Sequence, residues 1–394
     1  MTIREGWIIR ILARWRIVFA LVSGIKLLLM VWAPTYGDLF NWAGGAKLVL
    51  EFLSAGRFPA VSATGVYGPL QLVLSPFFWL WIMLPVDHPS ILFIQGSSHS
   101  TLSAISLIFL MRLPTLLADI AIGVLLFKLV RRITSSDQKG TVAFLLWYAN
   151  PFNIFWIEVF GGMDVIPTLV LVLAVVIGSN REWFKSGLCV AVATVLRIFP
   201  ILTFPFFVLA VKGGRTRAYA FLFSGFLLPL IGGLVVLYIT GAGTMVSMLN
   251  TPLREYWLLD FLGFKLTNQF VRLVPVLLAI QFYVVIRYWK DPGLIHLVAV
   301  SLLSLLVAHT YGGINHHFIW VVPFLTASVA INHDEYWIFI VTFVTASLYP
   351  FIFPIPAIPL SSDIIHFFDP FYAGCFYAAK AAYLIKINFK NIRP

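Results

Sequence analysis

A single carboxylate, Asp38, follows the first apolar segment of the chain, in the stretch 34–42. Acids are scarce, with 16 Asp and Glu in 394 residues, so a carboxylate at this point needs a reason. Where the chain leaves an apolar layer, it could act as the general base of an enzyme whose substrate is carried by a lipid. The other interpretation is a helix cap, in which Asp38 accepts hydrogen bonds from the backbone N–H of Asn41 or Trp42. We favour the catalytic role, because Gly37 and the aromatic residues around it predict a tight turn.

Two further acids follow later apolar segments and are candidates for contact with an acceptor or for an auxiliary acid role. Asp164 follows a Gly-Gly-Met turn and opens a helix, so helix capping is its competing interpretation. Glu158 precedes that turn, and a solvated loop acid is its competing interpretation. Arg112 and Asp119 lie on one helical face, and charges buried within a membrane are normally paired or functional. We interpret these two as supporting residues, in a structural network or beside the site.

The basic candidates have the chemistry of phosphate binding. Arg197 stands in the middle of an apolar segment, beside a helix-breaking proline, and a guanidinium there suits bidentate recognition of phosphate. His316 and His317 could donate hydrogen bonds to the same phosphate; as metal ligands they lack a third ligand at a helpful spacing. The remaining phosphate-binding candidates are Arg254 and Arg272. The sequence contains no HExxH or CxxC motif and no glycine-rich phosphate loop, so it supports neither a metal site nor a nucleotide site.

Composition excludes an ordinary soluble protein. The chain is 60% hydrophobic and 11% charged, with a mean hydropathy of +0.94; soluble domains are about 45–50% apolar and about 25% charged. Apolar stretches recur from residue 17 to the C-terminus, which predicts an all-α polytopic membrane protein without a separate soluble domain. Cys189 and Cys375 both lie in apolar stretches, which predicts buried thiols rather than a disulfide framework.

The net charge of +11 does not indicate a nucleic-acid partner. Basic residues cluster in short connections between apolar stretches, which is the positive-inside pattern and favours contact with anionic membrane lipids. The pattern predicts about twelve transmembrane helices with both termini cytoplasmic. We expect the chain in a prokaryotic plasma membrane or in the endoplasmic reticulum.

Two apolar stretches decide this topology. Stretch 68–84 is predicted to lie along the outer interface, because a spanning helix there would move Arg131 and Arg132 to the outer side. Stretch 186–211 is predicted to form two short helices, because a charge and a helix breaker stand at its centre and basic residues flank both ends. Each half would cover ~20 Å, short of a ~30 Å hydrocarbon core. Arg197 would then lie at the floor of a cavity that opens outward.

Seven short motifs follow one another between residues 15 and 325, and their order and spacing are more specific than any one of them. They are Asp38; Tyr67-Gly68-Pro69-Leu70; Arg112-Leu113-Pro114 with Asp119; Asn150-Pro151; Gly161-Gly162-Met163-Asp164; Arg197-Ile198-Phe199-Pro200; and His316-His317 with Trp320 and Pro323. In this order the motifs resemble those of the polyprenol-phosphate-sugar-dependent glycosyltransferases of the GT-C fold, especially the mannosyltransferase branches.

The resemblance implies a fold in which the first outer loop carries interfacial helices and the fifth and sixth helices are short. It implies that Asp38 is the catalytic base and that Arg197 meets the lipid phosphate. Asn41 and Tyr67, which lie in the same predicted outer loop as Asp38, are predicted supporting residues. Some relatives carry Asp-x-Asp in that loop and use a divalent metal. Here the second acid is replaced by Phe40, so no cofactor is expected and a divalent metal stays an open alternative.

These residues predict an inverting glycosyltransferase that moves a sugar from a polyprenyl- or dolichyl-phosphate donor to a lipid-linked or glycan acceptor on the outer or lumenal face. Mannose is the favoured sugar, because relatives with this pattern most often transfer it; glucose and arabinose stay open. We expect a monomer with a catalytic module at 1–271 and variable C-terminal helices at 272–394. The alternatives are a transporter or flippase of lipid-linked sugars and a non-catalytic subunit of a glycosylation complex.

Overall fold

The computed structural model describes residues 14–32, 37–56, 68–88, 91, 101–197, 199–211, 216–240, 298 and 319–331. At residues 37, 38, 41, 68, 69 and 233–240 it describes the backbone alone. The secondary structure of these described ranges is entirely helical, without a strand. The predicted all-α class is therefore confirmed for this part of the chain.

The helices have the following bounds in chain order. They are α1 (Trp15–Trp32), α2 (Gly37–Ser54), α3 (Gly68–Ile82), α4 (Leu102–Thr134), α5 (Asp137–Tyr148), α6 (Val165–Ser179), α7 (Trp183–Leu196), α8 (Phe204–Ala210), α9 (Thr216–Thr240) and α10 (Val322–Ile331). Between α5 and α6 a short turn, Pro151–Asn153, leads into the π-helix Ile154–Val159. A 3-10 helix, Phe199–Thr203, precedes α8.

Among the residues that the structure describes, three segments are long and apolar enough to cross a membrane, by length and composition: Trp15–Trp32, Leu102–Thr134 and Asp137–Val159. Helix α3 has 15 residues, which span ~22 Å at ~1.5 Å per residue, less than a ~30 Å hydrocarbon core. Helix α6 has the same length, so the interfacial position of stretch 68–84 stays a prediction. The described helices are thus compatible with a helical membrane protein.

The predicted break within stretch 186–211 is confirmed. Helix α7 ends at Leu196, and Arg197 follows in an extended conformation, with φ −153° and ψ 136°. The 3-10 helix and the seven-residue α8 come next. Proline at the first turn of α8 needs no N–H partner there, so it starts the helix without cost. The stretch therefore forms two short helical pieces that are joined at Arg197.

The chain divides into two compact units. Unit 1 contains Met1–Val22, Ile122–Phe155 and Pro275–Pro394, and unit 2 contains Ser23–Ala121 and Trp156–Val274. In unit 1, α5 packs on α10, and Lys139 Nζ donates to the last carbonyl of α10, Ile331 O, at 3.0 Å. In unit 2, α7 packs on α6 and α9, and α2 packs on α3. The glycines Gly187 and Gly225 allow α7 and α9 to approach until a Cβ on either would meet the backbone of the other.

Candidate functional site

A fully buried charge cluster joins three segments of unit 2. Lys26 Nζ of α1 donates to Asp119 Oδ2 of α4 and, at 3.0 Å, to Glu158 Oε1 of the π-helix. All three side chains have 0% exposure. Charges inside a membrane protein are expensive unless they are paired, so this lysine stabilises two carboxylates that could not be buried without it.

Arg112 extends the cluster to the backbone. Its Nη1 donates to Leu29 O at 3.2 Å and to Met30 O at 2.9 Å, and its Nη2 donates to Val159 O at 2.6 Å. The last four carbonyls of a helix lack partners within that helix, and Leu29 and Met30 belong to the last turn of α1. Arg112 therefore satisfies the end of α1 and fixes the end of the π-helix at the same time. We call Lys26, Arg112, Asp119 and Glu158 the buried cluster.

Two expectations change here. Glu158 is not a solvated loop acid: it is completely buried and ion-paired, which suits a structural role better than that of an auxiliary acid. The network interpretation of Arg112 and Asp119 agrees with the structure, but its central cation, Lys26, was missing from the prediction. A lysine in the middle of an apolar segment, between Ile25 and Leu27, was the signal in the sequence, because it requires a partner.

The second charged group is the ion pair between Arg197 and Asp164. Arg197 Nε donates to Asp164 Oδ1 at 2.7 Å, and the two side chains are 19% and 5% exposed. Asp164 occupies the N-cap position of α6, but its carboxylate makes no capping hydrogen bond. The capping interpretation of Asp164 is therefore wrong, and the pairing with Arg197 takes its place. The pair stands where α7 breaks, and its arginine is more exposed than Arg112, which is fully buried.

One short segment, 158–164, connects the buried cluster to this ion pair. Arg112 and Lys26 hold its first two residues, and Arg197 holds its last. Between them Gly161 has a φ of +75°, a conformation that favours glycine. The segment is therefore fixed at both ends, with a sharp turn between them.

The start of α2 packs against the same segment. A Cβ placed on Gly161 would lie 3.2 Å from Leu39 Cδ1, so Leu39 and Gly161 are in close contact. Asp38 precedes Leu39 and is the second residue of α2, which begins at Gly37. Asp38 therefore lies in the first turn of a helix, where the helix dipole favours a negative charge. Residues 33–36, which would form the expected turn with Gly37, lie outside the described residues. The backbone of Asp38 is thus one position along the chain from the residue that contacts the 158–164 segment.

Several predicted site residues lie outside the described residues: Tyr67, Arg254, Arg272, His316 and His317. For Asn41 the backbone alone is described, as part of α2. Within the described ranges no three His, Cys, Asp or Glu side chains are grouped to hold a metal ion. The structure thus brings together Asp164 and Arg197, places Leu39 against Gly161 of the 158–164 segment, and places Arg112, Asp119 and Glu158 in the buried cluster.

The buried cluster is neutral, and this balance can be tested. Lys26→Met leaves one positive and two negative charges in a buried site, and we expect a loss of about 3–5 kcal/mol in unfolding free energy. Lys26→Met/Asp119→Asn restores neutrality, with Arg112 and Glu158 as the remaining charges, and should be more stable than the single variant. Thermal unfolding of the purified protein in detergent measures both.

Lys47→Met is the matched control, because the side chain of Lys47 is 54% exposed and its ion pair with Glu51 lies on the protein surface. We expect this change to cost about 0.5 kcal/mol or less. A double variant less stable than Lys26→Met would contradict charge balance as the reason for the cluster.

Comparison with known proteins gives no relative for this chain: no family model, no curated protein and no solved structure matches it. The resemblance to GT-C glycosyltransferases therefore stays a prediction, and the function has to follow from the residues of the site.

Proposed function

We propose that this chain is an integral membrane glycosyltransferase that uses a polyprenyl-phosphate sugar, with mannose as the favoured sugar. The acceptor is a hydroxyl of a lipid-linked or glycan substrate at the outer or lumenal face. The observation that carries the proposal is the Arg197–Asp164 ion pair at the break in α7, beside the segment against which Leu39 packs. It supplies a partly exposed cation, and the segment that carries its partner Asp164 also contacts Leu39, the residue after the candidate base.

The chemistry of the transfer matches these groups. The acceptor oxygen attacks the anomeric carbon, a new C–O bond forms, and the bond between that carbon and the phosphate oxygen breaks. Asp38 takes the proton of the attacking hydroxyl, a contribution of about 10²–10⁴-fold. The departing lipid phosphate gains negative charge, which a preorganised cation stabilises. A single displacement of this kind inverts the configuration at the anomeric carbon.

Arg197 suits the leaving group because of how it is held. A guanidinium has five N–H donors in a planar fork, and the contact between its Nε and Asp164 fixes the plane of that fork. Asp164 is thus a positioning residue for the cation. Arg112 differs from Arg197 in a decisive way, since its described contacts are to backbone carbonyls and its side chain is fully buried. We therefore assign the donor phosphate to Arg197 and a structural role to Arg112.

Loss of Arg197 should weaken use of the donor. A hydrogen bond to a charged group contributes about 1.5–3 kcal/mol, so Arg197→Gln should lower kcat/KM for the polyprenyl-phosphate sugar about 10- to 100-fold. Asp164→Asn keeps the cation but loosens its orientation, and should cause a smaller loss. Steady-state transfer at varied donor concentration separates the effects on KM and kcat. Arg217→Gln, an exposed change at the start of α9, is the control.

A purely structural role for Arg197 would give a different pattern. In that case Arg197→Gln would lower the thermal stability, and the properly folded fraction would keep the wild-type KM for the donor. That result would remove Arg197 from the phosphate site.

The role of Asp38 is tested by removing its charge. Asp38→Asn keeps size and polarity, so we expect normal expression and donor binding with turnover lowered by ~10² or more. Asp87→Asn is the matched control, because Asp87 is an exposed acid in the same part of the sequence. Radiolabel transfer from polyprenyl-phosphate-mannose measures both. Near-wild-type turnover in Asp38→Asn would eliminate Asp38 as the base.

A further inference from the structure

A basic cavity of about 560 Å³ lies at the hairpin between α4 and α5, in unit 1. Its lining consists of three cations, one acid and one hydroxyl. They are Lys128, Arg131, Arg132, Asp137 and Ser135. The lining therefore carries two positive charges more than negative ones, which predicts an anionic occupant. Nothing in the proposed transfer reaction uses these residues.

The length of α4 places this cavity at the depth of lipid headgroups. The helix has 33 residues, so it is ~50 Å long, whereas about 20 residues cross a ~30 Å hydrocarbon core. Its first turns, from Leu102 onward, are apolar, and its basic residues other than the fully buried Arg112 lie in the last two turns. A span that begins near Leu102 therefore leaves the hydrocarbon before Lys128. The phosphate groups of phospholipids lie at that level.

The spacing of the cations brings them onto one face of the helix. Lys128, Arg131 and Arg132 follow an i, i+3, i+4 pattern within α4, and like charges at i and i+4 repel each other. Asp137 offsets part of this repulsion, because its Oδ1 lies 2.6 Å from Arg131 Nε. An anion bound between Lys128 and Arg132 would offset the repulsion that remains. The face is thus suited to bind an anion.

The hairpin itself holds the cavity in shape. Ser135 has a φ of +53°, which turns the chain sharply, and Ser136 caps α5 by accepting from Lys139 N at 3.3 Å. The Arg131–Asp137 ion pair then bridges the end of α4 and the start of α5. Only two residues connect the helices, so the cations cannot separate without unwinding a helix end.

We propose that this cavity binds the phosphate of an anionic phospholipid headgroup. A lipid fits better than free phosphate, because an exposed apolar residue continues the same helix face toward the hydrocarbon: Val124, four residues before Lys128, is 39% exposed. Basic residues at a helix end also offset the helix dipole and set membrane orientation. Those roles require no cavity and predict no saturable binding of a lipid.

The test adds a negative charge to the cavity without removing any cation. Ser135→Asp and Ser135→Asn differ only in charge, and both residues tolerate the left-handed conformation of Ser135. Full-length protein in detergent is titrated with dioctanoyl phosphatidylglycerol, dioctanoyl phosphatidylcholine or inorganic phosphate, and bound ligand is counted by native mass spectrometry. We expect saturable binding of phosphatidylglycerol by wild type and Ser135→Asn, and about five-fold or greater weakening in Ser135→Asp.

A second pair of variants checks the cations. Lys128→Gln/Arg132→Gln should weaken phosphatidylglycerol binding about 25-fold, at about five-fold per charge. Lys185→Gln/Arg217→Gln removes two exposed charges elsewhere and should leave binding unchanged. Equal affinity of Ser135→Asp and Ser135→Asn for phosphatidylglycerol would overturn the proposal. Phosphatidylcholine or inorganic phosphate bound as tightly as phosphatidylglycerol would overturn the assignment to an anionic lipid. Sugar transfer is not measured, so the outcome is independent of the proposed function.

Discussion

The rest of this structure depends on one constraint: a charged side chain that is buried away from water needs a close partner of opposite charge. An ion that leaves water for a low-dielectric interior costs several kcal/mol even after relaxation, and this cost is offset only by close partners of opposite charge. The buried cluster meets the constraint with two cations and two carboxylates, all at 0% exposure. The partners of Lys26 lie 93 and 132 residues away in sequence, so the charges match only when α1, α4 and the π-helix meet. The cluster therefore specifies how these three segments pack.

The candidate site depends on that packing. Glu158 and the carbonyl of Val159 are fixed by the buried cluster, and the chain then turns at Gly161 and reaches Asp164, which pairs with Arg197. The same turn contacts Leu39, the residue after Asp38. The two arginines differ in exposure. Arg112 is fully buried and connects the ends of α1 and the π-helix, whereas Arg197 is partly exposed and stands at a helix break. Arg112 thus stabilises the fold, whereas Arg197 has the exposure that the proposed contact with phosphate requires.

The helical class and the break at Arg197 could be predicted because both are local. Apolar composition predicts the helical class, and Arg197 with Pro200 three residues later predicts the break. The ion pairs could not be predicted, because Lys26 with Asp119 and Asp164 with Arg197 join residues far apart in sequence. Local reasoning also failed for Glu158, where a loop was expected and a π-helix forms. The lysine within an apolar segment indicates that a buried partner must exist, but its position in the sequence does not indicate which acid that partner is.

The measurement that tests the proposed activity most directly is release of label from polyprenyl-phosphate-[¹⁴C]mannose by the purified protein in detergent. No compartments exist in detergent, so a transporter or flippase gives no signal in this assay. We predict time-dependent movement of label from the polyprenyl-phosphate donor to a water-soluble or acceptor-bound product that chromatography separates from the donor, with inverted anomeric configuration. Label that stays on the polyprenyl-phosphate donor, for mannose and then for glucose and arabinose, would contradict the proposed activity.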